Sequence, residues 1–195
     1  DSQHRRAYVE FGTIEDPSDP TYLDNIEFFL RYQLGHMYFR YFMWNFVGRQ
    51  NDVQGHGGIL NGRVVSGIKG VDAIWLGNQE EITDDMRNHP ARNTYYFLPL
   101  ILGIIGLLFH LKRDVKDFWV IMTLFIMTGV AIVIYLNQSP FQPRERDYAY
   151  AGSFYAFSIW VGMGVAGMAS FISRWMSMRL AGVFSFIIAL MAGPL

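Results

Sequence analysis

Two arginines, Arg144 and Arg146, alternate with Glu145 and Asp147 in the stretch Gln142-Pro143-Arg144-Glu145-Arg146-Asp147-Tyr148-Ala149-Tyr150, which apolar runs flank on both sides. Four consecutive charges at the edge of a bilayer are costly unless they face water, pair, or meet a ligand. A guanidinium stays charged at every relevant pH and grips phosphate oxygens in a planar fork. Arg144 and Arg146 are therefore candidate phosphate contacts. Glu145 and Asp147 would orient them, and Pro140 and Pro143 would stiffen the loop. A carboxylate paired to arginine has a depressed pKa and serves poorly as a base. The competing interpretation is an internal salt-bridge network that only ends two helices.

A second group lies upstream. Gln33, His36, Arg40 and Trp44 recur at helical spacing and so share a stripe, either lining a polar groove or forming a solvated face. Gly48-Arg49-Gln50-Asn51-Asp52 closes that pattern with a polar cluster. Such residues after a helix end usually form turns; the sharper alternative has Arg49 and Asn51 contacting sugar hydroxyls. A metal site is poorly supported, because His36 and His56 are isolated and no His-Glu pair has ligand spacing. Asp16-Pro17-Ser18-Asp19-Pro20 reads as a turn rather than a calcium loop. Asn137-Gln138-Ser139 fits a glycosylation sequon, but Pro140 and the nearby apolar run argue against its use.

The elements that must position these residues follow from periodicity. A helical pattern runs from about Asp24 to Val47, with Asp24 as N-cap, Glu27 completing a capping-box-like pair, and Gly48 as the stop. Arg31, His36 and Arg40 argue against its spanning a membrane, so it is expected to lie amphipathically on the membrane surface. Gly55 to Gly70 reads as loop, and Asp72 to Gly77 as a short packed segment.

From Thr94 onward long apolar runs dominate. Four of them, about 95–111, 118–136, 150–172 and 180–195, approach the length of a spanning helix. Buried soluble helices are the alternative, which four runs in succession disfavour. Gly152, Ala156, Gly162, Gly164, Ala166, Gly167 and Ala169 mark a small-residue face on the third, suited to close packing within the bundle. Lys112, Arg113 and Lys116, with Arg174 and Arg179, place two links on the cytoplasmic side. Residues 1–94 and 137–149 then lie outside, against a mild counter-bias from Arg87, Arg92, Arg144 and Arg146. The expected fold class is thus all-α: a multi-pass transmembrane bundle (95–195) joined to an extracytoplasmic loop and amphipathic-helix region (1–94).

The 195 residues carry a net charge of -1, too balanced for a nucleic-acid partner. There is no cysteine, which excludes disulfides and Cys-based metal sites. The chain starts without Met or a signal-peptide pattern and stops inside an apolar run, as expected of an internal piece of a longer membrane protein, inactive by itself.

The stretches Tyr135-Leu136-Asn137-Gln138, Gln142 to Phe154, and Tyr41-Phe42-Met43-Trp44-Asn45-Phe46-Val47-Gly48-Arg49-Gln50-Asn51-Asp52 resemble two hallmark motifs of a family of large multi-pass membrane proteins. That family has many bacterial members and a vertebrate relative that O-mannosylates plexin-type receptors. The resemblance implies a GT-C type glycosyltransferase in the bacterial inner membrane. It would move a sugar, mannose above all, from a polyprenyl-phosphate donor to a protein Ser or Thr hydroxyl outside, without a cofactor or metal. In such enzymes an acidic residue of the first external loop deprotonates the acceptor while a cation steadies the departing phosphate. That loop would lie upstream of Asp1, leaving Asp52 and Asp147 as weak internal candidates for the base. Arg144 and Arg146 are the first candidates for the donor phosphate, with Arg40, Arg49, Asn51 and His36 for substrate positioning. A non-catalytic scaffold is the runner-up, followed by a lipid-linked glycan transporter; a transporter would want ionisable groups inside the spans, and the second span has none.

Overall fold

The structure is a computed structural model that describes residues 2–12, 20–141, 144 and 146–191. It is mostly helical. Helix α1 (Ser2–Phe11) precedes α2 (Tyr22–Phe28), which continues through an i→i+5, π-wound stretch (Phe29–Phe39) into α3 (Arg40–Phe46). Strand β1 (Gly48–Arg49), α4 (Lys69–Leu76), α5 (Asp84–Arg87) and β2 (Asn93–Thr94) make up the loop region. Then follow α6 (Leu98–Arg113), α7 (Val115–Thr128), α8 (Val130–Leu136), a 3₁₀ turn (Asp147–Tyr150), α9 (Ala151–Ile172) and α10 (Met178–Met191).

Helix starts differ in one place from expectation. Thr21, not Asp24, caps α2; its hydroxyl accepts from Asp24 N–H, and the Asp24 carboxylate accepts from Thr21 N–H at 2.7 Å. Asp24 is the third residue of the box because Thr21 already has the extended backbone that a cap needs. Downstream, Asp114 caps α7 by accepting from Lys116 and Asp117 N–H. Lys112 and Arg113 sit in the last turn of α6, where its dipole favours cations.

Two stretches, Val115–Leu136 and Asp147–Ile172, are long and apolar enough to cross a membrane. The first is interrupted at Gly129, between α7 and α8. Helices α6 and α9 run parallel: Gly103 meets Phe157, Gly106 meets Trp160 and Gly164, and Gly167 meets Phe109. A Cβ at Gly106 or Gly164 would collide with Trp160 or Leu102 backbone, so only glycine permits this approach. The small-residue face of α9 therefore divides. Ala156, Gly164 and Gly167 are buried, whereas Gly162 has open space above it.

The aromatic helix does not lie out on a surface. Tyr38, Tyr41, Phe42 and Phe46 form one buried cluster with Phe118, Tyr150, Phe154, Phe157 and Trp160. Phe42 and Phe46 both meet the Phe157 ring edge to face, at 4.8 and 4.6 Å, a contact worth about 1 kcal/mol beyond its buried area. This cluster joins residues before 94 to residues after 95 in one core.

Candidate functional site

A groove of about 930 Å³ opens between α1, the π-wound stretch with α3, the loop at 57–64, and the start of α6. Its size and mostly apolar lining suit a small ligand. Phe11, Phe39, Met43, Trp75 and Phe97 supply apolar surface; Arg31, His36, Arg40 and Arg63 supply positive or hydrogen-bonding groups. Glu10 is the carboxylate of the lining among the described residues.

Arg40 is the fixed point of the site. Its Nε donates to His36 O at 2.9 Å and its Nη1 to Gly62 O at 3.1 Å. The guanidinium carbon lies 4.4 Å from the Tyr41 ring centre and 4.8 Å from that of Trp44. At 5% exposure Arg40 cannot belong to a solvated face. His36 is also buried, and its Nε2 donates to Gly55 O at 3.1 Å. Gly62, at φ +65°, is required here: a Cβ would stand 3.0 Å from Arg40 Nη1.

Arg63 follows directly. Its Nε is buried and has no hydrogen-bond partner among the described residues. Burial first, and the charge of Arg40 second, push its guanidinium below the usual arginine range. Two like charges thus approach each other in a partly desolvated wall, an arrangement that an anion relieves.

The loop that delivers Arg63 is held by buried polar side chains. Asn51 Oδ1 accepts from Gly62 N–H at 2.9 Å, and its Nδ2 donates to Asn61 Oδ1 at 3.1 Å. Gln50 N–H donates to Arg63 O at 2.9 Å. Asp72, 2% exposed, accepts from Ser66 N–H (2.7 Å), Ser66 Oγ–H (2.8 Å) and Gly67 N–H (2.9 Å). Strands β1 and β2 pair Gly48 with Thr94 and Arg49 with Asn93, and Val64 bridges to Arg49.

Of the residues singled out from sequence, the groove gathers His36 and Arg40. Gln33 turns away to Asn137, because the i→i+5 winding rotates it off the stripe, while Trp44 packs against Arg40. Arg49 stands 5.4 Å from the Trp44 ring centre and donates from Nε to Ala91 O at 3.1 Å, outside the groove lining. Asn51 serves the loop. Asp52 is exposed, 3.8 Å from His89.

Arg144 is exposed and donates to Tyr148 Oη at 3.2 Å. Arg146 donates its backbone N–H to Tyr41 Oη at 3.3 Å; its Nε is buried with no partner among the described residues. The Asp147 carboxylate accepts from Tyr148 N–H. None of these three lines the groove. Glu145 lies outside the described residues, as do Pro143 and the Asp16–Asp19 segment.

No protein-family profile, curated protein or solved structure matches this chain. No cluster of three or more metal-ligating side chains occurs among the described residues. Arg63, Arg31 and Glu10 were not evident from sequence. Arg63 arrives by a loop that brings its neighbour Gly62 back to Arg40 across 22 positions, and no local spacing signals such a return.

Proposed function

We propose that this chain is part of a membrane-embedded glycosyltransferase that takes a sugar from a polyprenyl-phosphate carrier and passes it to a protein Ser or Thr hydroxyl. The observation that carries the proposal is Arg63 beside Arg40, with its Nε buried and without a partner among the described residues, in a groove that also holds Phe11, Phe39, Met43, Trp75 and Phe97. A ligand matching that wall is anionic at one end and apolar at the other. A lipid-linked phosphate has that form.

Two long apolar stretches support the membrane part of this reading, and the inner membrane of a bacterium is the proposed setting. Only 11% of the most apolar stretch of Val115–Leu136 is buried within the protein, whereas a soluble core helix would hide it. Lys112, Arg113 and Lys116 flank the Asp114 turn, so by the positive-inside rule that end would be cytoplasmic. The groove adjoins the opposite end of α6, at Phe97, and would face outward.

In the proposed reaction the acceptor hydroxyl oxygen attacks the anomeric carbon of the sugar. The bond from that carbon to the phosphate oxygen breaks, and the phosphate leaves with the electron pair. Arg63 and Arg40 offset its growing charge. Glu10 lines the groove, as Asp52 and Asp147 do not, and would take the hydroxyl proton once it leaves its exposed partner Arg6, 3.8 Å away.

The test is transfer of radiolabelled mannose from polyprenyl-phosphate-mannose to protein by membranes holding the full-length protein. Wild type should transfer and Arg63→Ala should not, at equal expression. Absence of transfer by wild type would favour a scaffold or a transporter.

A further inference from the structure

Tyr96 and Phe97 are consecutive non-glycine residues in left-handed backbone, at φ 52° and 61°. That region is sterically unfavourable for bulky side chains and is usually left to Gly, Asn or Asp. The turn is nevertheless pinned from several directions. Tyr95 N–H donates to Val47 O at 2.8 Å, Tyr96 N–H to Ser66 O at 2.9 Å, and Leu98 N–H to Tyr95 O at 2.9 Å. Gly67, at φ +90°, allows the Tyr96 ring to sit against it; a Cβ there would come within 2.9 Å of Tyr96 Cε1. Phe97 caps α6 without using its side chain as a cap, and the residue belongs to the groove lining. Backbone held in such a conformation by its surroundings tends to mark function.

We propose that Phe97 is a specificity-determining residue, whose strained backbone holds its ring as the wall that grips the apolar chain of an anionic amphiphile. This rests on the groove proposed above. A glycine would ease the turn, whereas phenylalanine at this φ places an aromatic residue in the groove lining. The arginines would take the phosphate regardless of chain length. Phe97 would distinguish a phosphate bearing a hydrocarbon chain from phosphate alone.

The experiment measures affinities of octyl phosphate and inorganic phosphate for the full-length protein in nanodiscs, with melting temperatures alongside. Phe97→Gly and Phe97→Asn, which both accept left-handed backbone, should weaken octyl phosphate about tenfold, as expected for losing part of an aromatic contact. Inorganic phosphate should change by less than about twofold, because the phosphate contacts persist. Phe97→Tyr should bind as wild type does, and Phe97→Gly should melt no lower than wild type. Unchanged octyl phosphate binding in Phe97→Gly, or a lower melting temperature, would overturn the assignment while leaving the groove intact, provided Arg63→Ala still loses binding. Failure of wild type to bind octyl phosphate, or full binding by Arg63→Ala, would overturn the groove and the assignment together.

Discussion

The hydroxyl of Tyr38 lies 2.6 Å from Ser153 Oγ, in the notch that Gly129 leaves in the helix passing beside both. This contact spans 115 positions and ties the aromatic helix to α9 at the point where α7 gives way to α8. A side chain at Gly129 would enter that notch, 2.6 Å from Tyr38 Oη and 2.7 Å from Ser153 Oγ. Gly129→Ala should therefore cost about 1–3 kcal/mol by overpacking. Tyr38→Phe should cost about 1 kcal/mol, the worth of one buried hydrogen bond. Unfolding in detergent checks both, and a neutral Gly129→Ala would contradict the notch.

The crossing of α6 and α9 should respond to glycine replacement by position. Gly106→Val and Gly164→Val place a side chain into opposing backbone and should each lose about 3 kcal/mol or more. Gly162→Val has open space and should change stability by less than about 0.5 kcal/mol. Melting temperatures of the three variants separate the crossing from general intolerance of bulk.

Asp72 should govern the order of the loop that carries Arg63. Asp72→Asn keeps the volume but replaces one acceptor oxygen by a donor, opposite backbone N–H groups that need acceptors. The expected loss is about 2 kcal/mol, with faster amide exchange at Ser66 and Gly67. Exchange at those amides that matches wild type would contradict the clamp.

The first turn of α2 should weaken in acid. Hydrogen bonds from Thr21 hold the Asp24 carboxyl below its ordinary pKa. A depressed acid stabilises the fold above its unfolded pKa, near 4, and that contribution fades as pH falls through the lower folded value. Between about pH 5 and pH 3, wild type should lose helicity at α2 that Asp24→Asn does not, since the variant has no proton to gain. Parallel acid titrations by amide exchange check this.

The apolar helices were legible because long unbroken apolar runs favour helix. Of the four runs expected to span, only Val115–Leu136 and Asp147–Ile172 reach the length required among the described residues. Runs expected at about 95–111 and 150–172 appear as Leu98–Arg113 and Ala151–Ile172. The notch at Gly129 was not legible, since the Tyr38 and Ser153 hydroxyls that fill it come from distant parts of the chain. At the site, His36 and Arg40 were visible as a pair one turn apart. Gln33 was misplaced because 3.6-residue periodicity fails across a π-wound stretch. Arg63 was invisible, because loop closure through Asn51 and Asp72 obeys side-chain hydrogen bonds rather than period.

The most direct measurement compares Arg63→Ala with Arg144→Ala in full-length protein for binding of polyprenyl phosphate in nanodiscs. Arg63→Ala should lose about 1.5–3 kcal/mol, a factor of roughly ten to a hundred or more, as for a charged hydrogen bond. Arg144→Ala should stay near wild type, because Arg144 does not line the groove. The reverse pattern, with Arg144→Ala losing binding and Arg63→Ala keeping it, would contradict the groove as the phosphate site.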